Sequence, residues 1–364
     1  MIFIGDHPPP LHGMSKINKE MLHKLKLTTL NIYLINTVPS SKSDSFSSRS
    51  WLYYKIVHTL YVFALYFLAL PRLKHKVVYR PINGGRGQIF DLVYIGLARI
   101  FRKKIYIHHH SFNYINTYSS LFSTLNLLAG TKSIHIVLGA EMAQELQNKY
   151  HINETNIRVL SNAAFFTPNE ASLPREQNNI ITIGHLANLS TDKGIDIFDK
   201  LCRKLDMLGV PFKASIAGPY HDAAAKIIVD SLCKHLPQVT YLGPLYDGPK
   251  SDFFRGLDFF VFPSKYKNEA EPLVLYEAAE HGAYLIGSTA GCMRSSIEYL
   301  GGLSKRIECT DEWVSCISKT IEAQPTDVAS ESLRQHRKEN FLNLVKDSQL
   351  KINSIIMEMH SAET

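Results

Sequence analysis

Apolar, β-branched runs alternating with longer stretches of helical period constrain this chain more than any other feature. In the first half the runs are MIFIG, LNIYLIN, KVVYR, KIYIHHH, SIHIVLG and IRVLSN. In the second they are NIITIGHL, FKASIAGP, VTYLGP, DFFVFPS and AYLIGST, each closing on or beside Gly, Pro or Ser where a loop opens toward a helix. Strand and helix in strict alternation predict α/β order, and the two sets of runs predict two doubly wound domains. The chain has 364 residues, enough for two domains of about 150 to 180 residues each. We place the first at 1–165, a linker rich in Pro, Asn and Glu at 166–179, the second at 180–330, and a Gly-free helical tail at 331–364 that returns to the first domain. No internal repeat of fixed period is visible.

Charge divides the chain in the same way. Residues 1–170 hold 19 Lys or Arg against 8 Asp or Glu, while residues 171–364 hold 21 against 25. A basic half fits nucleic acid, an acidic lipid surface or a phosphorylated substrate. Nucleic acid is disfavoured, because the aromatic residues gather in an apolar segment instead of interleaving with the basic ones. That segment, WLYYKIVHTLYVFALYFLAL at 51–70, is about long enough to span a bilayer, but Lys55 and His58 interrupt it. It reads as a buried helix, an interfacial helix or a span.

Five cysteines, with no Cys-x-x-Cys pair, indicate neither a disulfide framework nor a cysteine zinc site. The opening MIFIGD is too short for a signal-peptide core, so the expected compartment is the cytoplasm. A nicotinamide dehydrogenase is excluded because no strand leads into Gly-x-Gly-x-x-Gly, and GGRG at 84–87 lacks that spacing.

In open α/β sheets ligands lie beyond the carboxyl ends of strands, and the most informative loop is FPSKYKNEAEPLVLYEAAEHG, residues 262–282. Glu269 stands eight positions before Glu277. Pro272 opens the apolar run between them and suits a first helical turn, where its missing N–H would go unpaired anyway. Glu269 is thus placed in a loop and Glu277 about a turn and a half into a helix. A carboxylate there can accept both hydroxyls of a ribose, and the free amides of Leu273 and Val274 suit an anion. Solvated helix charges are the plainer reading of Glu277 and Glu280.

This stretch resembles the E-x7-E motif of retaining glycosyltransferases of the GT-B fold, a large family that includes bacterial lipopolysaccharide and mannosyl transferases. PPPLHGMS, YIHHHSF, IGHLANLSTDKG, SIAGP, YLGP and FVFPS occur in the order that family has, so the resemblance spans nearly the whole chain. It implies two Rossmann-like domains facing across a cleft. Glu277 would hold the donor ribose, Glu269 would face the sugar hydroxyls, the amides of Leu273 and Val274 would lie near the sugar or diphosphate, and Lys193 would pair with the diphosphate as the nucleotide leaves. The sequence departs from the family at three places: His185 replaces an Arg and offers a weaker, pH-dependent cation. His12 replaces the first of two glycines, leaving Gly13 for close approach to phosphate. Glu271-Pro272 replaces Phe-Gly.

The run His108, His109, His110 looks like a metal site, but neighbouring strand residues point to opposite faces and no Cys or carboxylate cluster has ligand spacing. The resemblance implies one His at the reacting carbon of the sugar, with His109 favoured by the His-x-Ser alignment. It also implies no metal and no cofactor, a UDP- or GDP-sugar donor, and a membrane-associated glycan or lipid-linked acceptor at the inner face of the cell membrane. The rival functions are a GT-B nucleotide-sugar epimerase and a catalytically silent GT-B glycan-binding scaffold.

Overall fold

A computed structural model describes residues 1–9, 13–28, 30–38, 49–72, 74–167, 180–308, 310–323 and 331–364. The chain divides into two compact units, Met1–Phe165 with Asp347–Thr364, and Phe166–Lys346. Residues 168–179 of the expected linker, together with His12 and Cys309, lie outside the described residues.

The first unit runs β1 (Ile2–Gly5), α1 (Gly13–Lys26), β2 (Tyr33–Asn36), α2 (Arg49–Ala69), β3 (Val77–Ile82), α3 (Gln88–Ile100), β4 (Lys104–His109), α4 (Asn113–Asn116), α5 (Ser120–Ala129), β5 (Ile134–Val137), α6 (Ala140–Tyr150) and β6 (Ile157–Val159). Its six strands form one parallel sheet in the order β2-β1-β3-β4-β5-β6. The register sets Phe3 beside Tyr79 and Tyr79 beside Tyr106. One face of the sheet is closed by Met21, Leu22 and Leu25 of α1, and by Ile352, Ile355, Ile356 and Met359 near the end of the chain. On the other face Arg80 is buried against Asp91, with its guanidinium also donating to the carbonyl of Ile4. Burial this complete is tolerated because each charge has its partner.

The second unit runs β7 (Ile181–Leu186), α7 (Ile195–Met207), β8 (Phe212–Ala217), α8 (Ala223–His235), β9 (Val239–Tyr241), α9 (Asp247–Arg255), β10 (Phe259–Phe262), α10 (Leu273–Glu280), β11 (Tyr284–Ser288), α11 (Met293–Tyr299), β12 (Leu303–Lys305) and α12 (Thr310–Ala323), and α13 (Glu331–Glu363) begins in it. Its sheet is again parallel and six-stranded, ordered β12-β11-β10-β7-β8-β9. Asp222 caps α8 by accepting from the amide of Ala225 at 2.6 Å, a side chain satisfying one of the free amides of a helix start. The two doubly wound α/β domains that the alternation predicts are therefore present.

The tail divides between the units. Up to Lys346 it belongs with the second unit, where Arg334 donates to the carbonyls of Leu257 and Arg255, and Arg337 to that of Gly282. From Asp347 it belongs with the first, where Glu358 accepts from Tyr106 and Arg158, and Glu363 from the amide of Val77.

The apolar segment forms α2, and it is not a buried helix. Val62, Tyr66 and Leu70 make a narrow stripe packed toward α3, while Tyr53, Leu60, Tyr61, Phe67 and Leu68 are exposed. Among the described residues no helix is long and apolar enough to cross a membrane.

Candidate functional site

In the second unit the strand order reverses between β10 and β7. A crevice opens at such a point because the connections from the two strands leave toward opposite faces of the sheet. The loop after β7 carries Lys193 and the loop after β10 carries Glu269, so the topology alone brings them together. Gly194 makes this possible: its φ is +83°, and a Cβ there would stand 2.1 Å from the carbonyl oxygen of Pro263. Only glycine lets the first loop turn left-handed directly against the second. The amide of Lys265 then donates to the carbonyl of Asp192 at 2.7 Å, and its ammonium pairs with Asp196.

Across this seam the Lys193 ammonium meets the Glu269 carboxylate at 2.5 Å, and the Ser264 hydroxyl donates to the same oxygen at 3.0 Å. The ammonium also lies 4.9 Å from the centre of the Tyr266 ring, a second weak attraction for a cation. The Glu269 loop is held from behind by Gly291, with φ +57°, where a Cβ would come within 2.3 Å of the Glu269 carbonyl. The Cys292 amide donates to Ala270 at 2.9 Å. Buried Glu271, at the position where the family has Phe, accepts from the hydroxyls of Tyr276 and Ser296 and so ties the loop to α10 and α11.

Pro272 sits at the N-cap of α10 in extended conformation and offers no side-chain cap. The amides of Leu273 and Val274 have no hydrogen-bond partner among the described residues. They are the free amides that every helix start presents, and they carry the positive end of the helix dipole. Glu277, one turn further, pairs with Lys250 of α9 at 2.6 Å. Two carboxylates and two ammonium groups thus occur as the pairs Lys193–Glu269, beside the switch point, and Lys250–Glu277, on α9 and α10, a set able to take a diphosphate on its cations and hydroxyls on its carboxylates.

The other sequence candidates take no part in these ion pairs. His185, at the end of β7, is fully buried between Phe198 and Phe262, and its Nδ1 donates to the carbonyl of Val261 at 2.9 Å. Burial, with Lys193 adding to it, lowers its pKa to about 4, so the pH-dependent cation expected here is held neutral. In the first unit Gly13 opens α1, exposed, and a Cβ there would meet nothing within 4 Å. His109 is wholly buried: Nδ1 shares a hydrogen bond with the Tyr114 hydroxyl at 2.8 Å, and Nε2 with His135 at 3.0 Å. Both ring nitrogens are used inside the unit, which leaves none for a ligand. His108 bonds Tyr79 from the opposite face, and His110, just past the strand end, lies tilted beside it with ring centroids 4.0 Å apart. Among the described residues no group of three or more His, Cys, Asp or Glu is placed to hold a metal ion.

Sequence reasoning did not single out Lys250 or Gly291. Lys250 lies in a short polar helix with no motif around it, and only the fold sets it against Glu277. Gly291, within TAGCM after β11, carries no motif that marks it as the support of the Glu269 loop, 22 residues earlier in the chain.

Residues 167–304 match the family model of glycosyl transferases group 1, a region that contains Lys193, Glu269 and Glu277. No curated protein matches the sequence. Among solved structures the chain is similar to HepE of Anabaena in complex with UDP, with 14% identity over 99% of both chains and a TM-score of 0.67. It is similar to the lipopolysaccharide outer core galactosyltransferase WaaB in its apo form, with 15% identity over 98% of this chain and 99% of that one and a TM-score of 0.69. It is also similar to sucrose-phosphate synthase of Thermosynechococcus elongatus, with 14% identity over 99% of both chains and a TM-score of 0.71. At these identities the likeness speaks for the fold.

Proposed function

We propose that the chain, which matches the group 1 glycosyltransferase model within its second unit, is a GT-B glycosyltransferase that transfers a sugar, with retention and without a metal, from a UDP- or GDP-sugar to a membrane-associated glycan or lipid-linked acceptor. The setting we propose is the synthesis of bacterial surface polysaccharide at the inner face of the cell membrane. The observation that carries this reading is the Lys193–Glu269 contact at the β7–β10 switch point, with Glu277 on the helix that follows the Glu269 loop. HepE is described with UDP, and WaaB acts on lipopolysaccharide outer core, which supports the donor and acceptor classes.

In this reading the diphosphate takes the Lys193 ammonium from Glu269. The carboxylate is then free to accept the hydroxyls of the donor sugar, and the amides of Leu273 and Val274 face the anion. Glu277, steadied by Lys250, accepts the ribose hydroxyls. The acceptor hydroxyl attacks from the face that the nucleotide leaves, through an oxocarbenium-like transition state. The bond from the anomeric carbon to the diphosphate breaks, and the departing diphosphate oxygen takes the acceptor proton. Lys193 offsets the charge that develops there, and no protein nucleophile is needed.

Glu277→Ala should weaken nucleotide binding at least tenfold and should abolish any preference for a ribonucleotide over its 2′-deoxy form. Normal binding by this variant would remove Glu277 from the ribose. Product analysis with UDP- and GDP-sugars separates the rivals. A glycoside with the donor's anomeric configuration supports transfer, a new sugar epimer without acceptor means an epimerase, and no product with intact glycan binding means a silent scaffold.

A further inference from the structure

We infer that the face built by α2 and α3 of the first unit binds an anionic lipid bilayer without crossing it. Three observations meet there. The first is the exposure of α2: among its described side chains only one stripe is covered, and Tyr53, Leu60, Tyr61 and Phe67 are 73%, 62%, 60% and 52% exposed. A water-facing helix surface made almost wholly of apolar and aromatic side chains marks an interaction site, because nothing in solution stabilises it. Ile89, Phe90, Val93 and Ile100 of α3 add to the same exposure.

The second is direction. Phe63 packs on Phe90 and Tyr94, Tyr66 on Tyr94, and Phe67 on Phe101, so the contacts advance in step and the two helices end together. Arg72 and Lys74 follow the end of α2, and Arg99 and Arg102 stand at the end of α3, all four exposed. The apolar face is therefore bordered at one end by cations.

The third is the absence of opposing charge in the sequence. Between residues 45 and 140 there are twelve Lys or Arg and a single carboxylate, Asp91. That carboxylate is buried and neutralised by Arg80. An anionic leaflet answers both properties at once, taking aromatic and aliphatic side chains at its boundary and cations at its headgroups. A two-fold contact of this face on itself does not, since it would offer those cations no carboxylate. Among the described residues no helix is long and apolar enough to cross a membrane, which places α2 in the interface plane and not across it.

The test is flotation of the full chain with phosphatidylcholine vesicles, with and without phosphatidylglycerol. Binding is expected only when phosphatidylglycerol is present, and high salt should weaken it. Leu60→Glu with Leu68→Glu should reduce that binding at least tenfold. Arg72→Gln with Lys74→Gln, which leaves the apolar face intact, should reduce it about thirtyfold. Both variants should keep the wild-type melting temperature and nucleotide response, so a loss cannot be mistaken for unfolding or for failure of the donor site. Absence of binding to either vesicle would overturn the inference, as would a dimer in solution that Leu60→Glu with Leu68→Glu turns into a monomer.

Discussion

Glu269→Gln should lower kcat by about two to three orders of magnitude while changing the dissociation constant of the nucleotide only a few-fold. The exchange keeps the shape of the side chain and removes its charge. Glu269 is mostly buried, reached by Ser264 and Lys193 and backed by a loop that Gly291 and Glu271 hold in place. A carboxylate so fixed faces the sugar without having to reorganise, and its contribution belongs to the transition state more than to binding. Lys193→Ala should act on the other side of the same bond, lowering turnover by at least tenfold, about 1.4 kcal/mol or more. Because the two side chains touch, their combined variant should lose less than the sum. The measurement is steady-state kinetics alongside nucleotide titration. An unchanged kcat in Glu269→Gln would take the carboxylate out of the chemistry.

Acid should destabilise the protein steeply well above the range where carboxylates protonate. His135 in the first unit and His185 in the second are buried neutral, and burial lowers their pKa values to about 3 and about 4. His108 and His109 are lowered in the same way, with neighbouring histidines adding to the effect. An unfolded histidine titrates near 6.5, so below that pH the unfolded chain binds more protons than the folded one. Stability is therefore complete above about pH 6.5 and falls as the pH drops toward the folded values. At pH 5 each such ring costs about 2 kcal/mol, a large share of a total stability of about 5 to 15 kcal/mol. The urea midpoint should drop sharply between pH 7 and pH 5, and His135→Asn should flatten the drop. Equal midpoints at the two pH values would contradict the burial of neutral rings.

The architecture was legible because each parallel strand, covered on both faces, must be written as an apolar run. It failed at β12, three residues of LSK, which contributes little beyond backbone bonds. That strand pairs with β11 because Gly302 has no Cβ to meet the Leu285 carbonyl, 2.4 Å away. Lys193, Glu269 and Glu277 were singled out as a set by the family resemblance, whereas Lys250 was not, since its partner lies on a different helix and no motif marks it. His109 illustrates the limit of alignment without coordinates: three consecutive histidines differ only in which sheet face they meet. The face of His109 is filled by Tyr114, Phe122 and His135. Likewise α2 was visible as an apolar segment, but which of its sides is covered depends on aromatic contacts with α3 that no periodicity announces.

The most direct measurement is a thermal-shift panel of the wild-type chain with UDP, GDP, ADP and CMP. A nucleotide at about one hundred times its dissociation constant adds roughly 2.7 kcal/mol, which for units of this size raises the melting temperature by about 5 to 11 °C. Stabilisation by UDP or GDP alone is the expected result and identifies the donor class. No shift with any nucleotide would contradict a donor site at the start of α10.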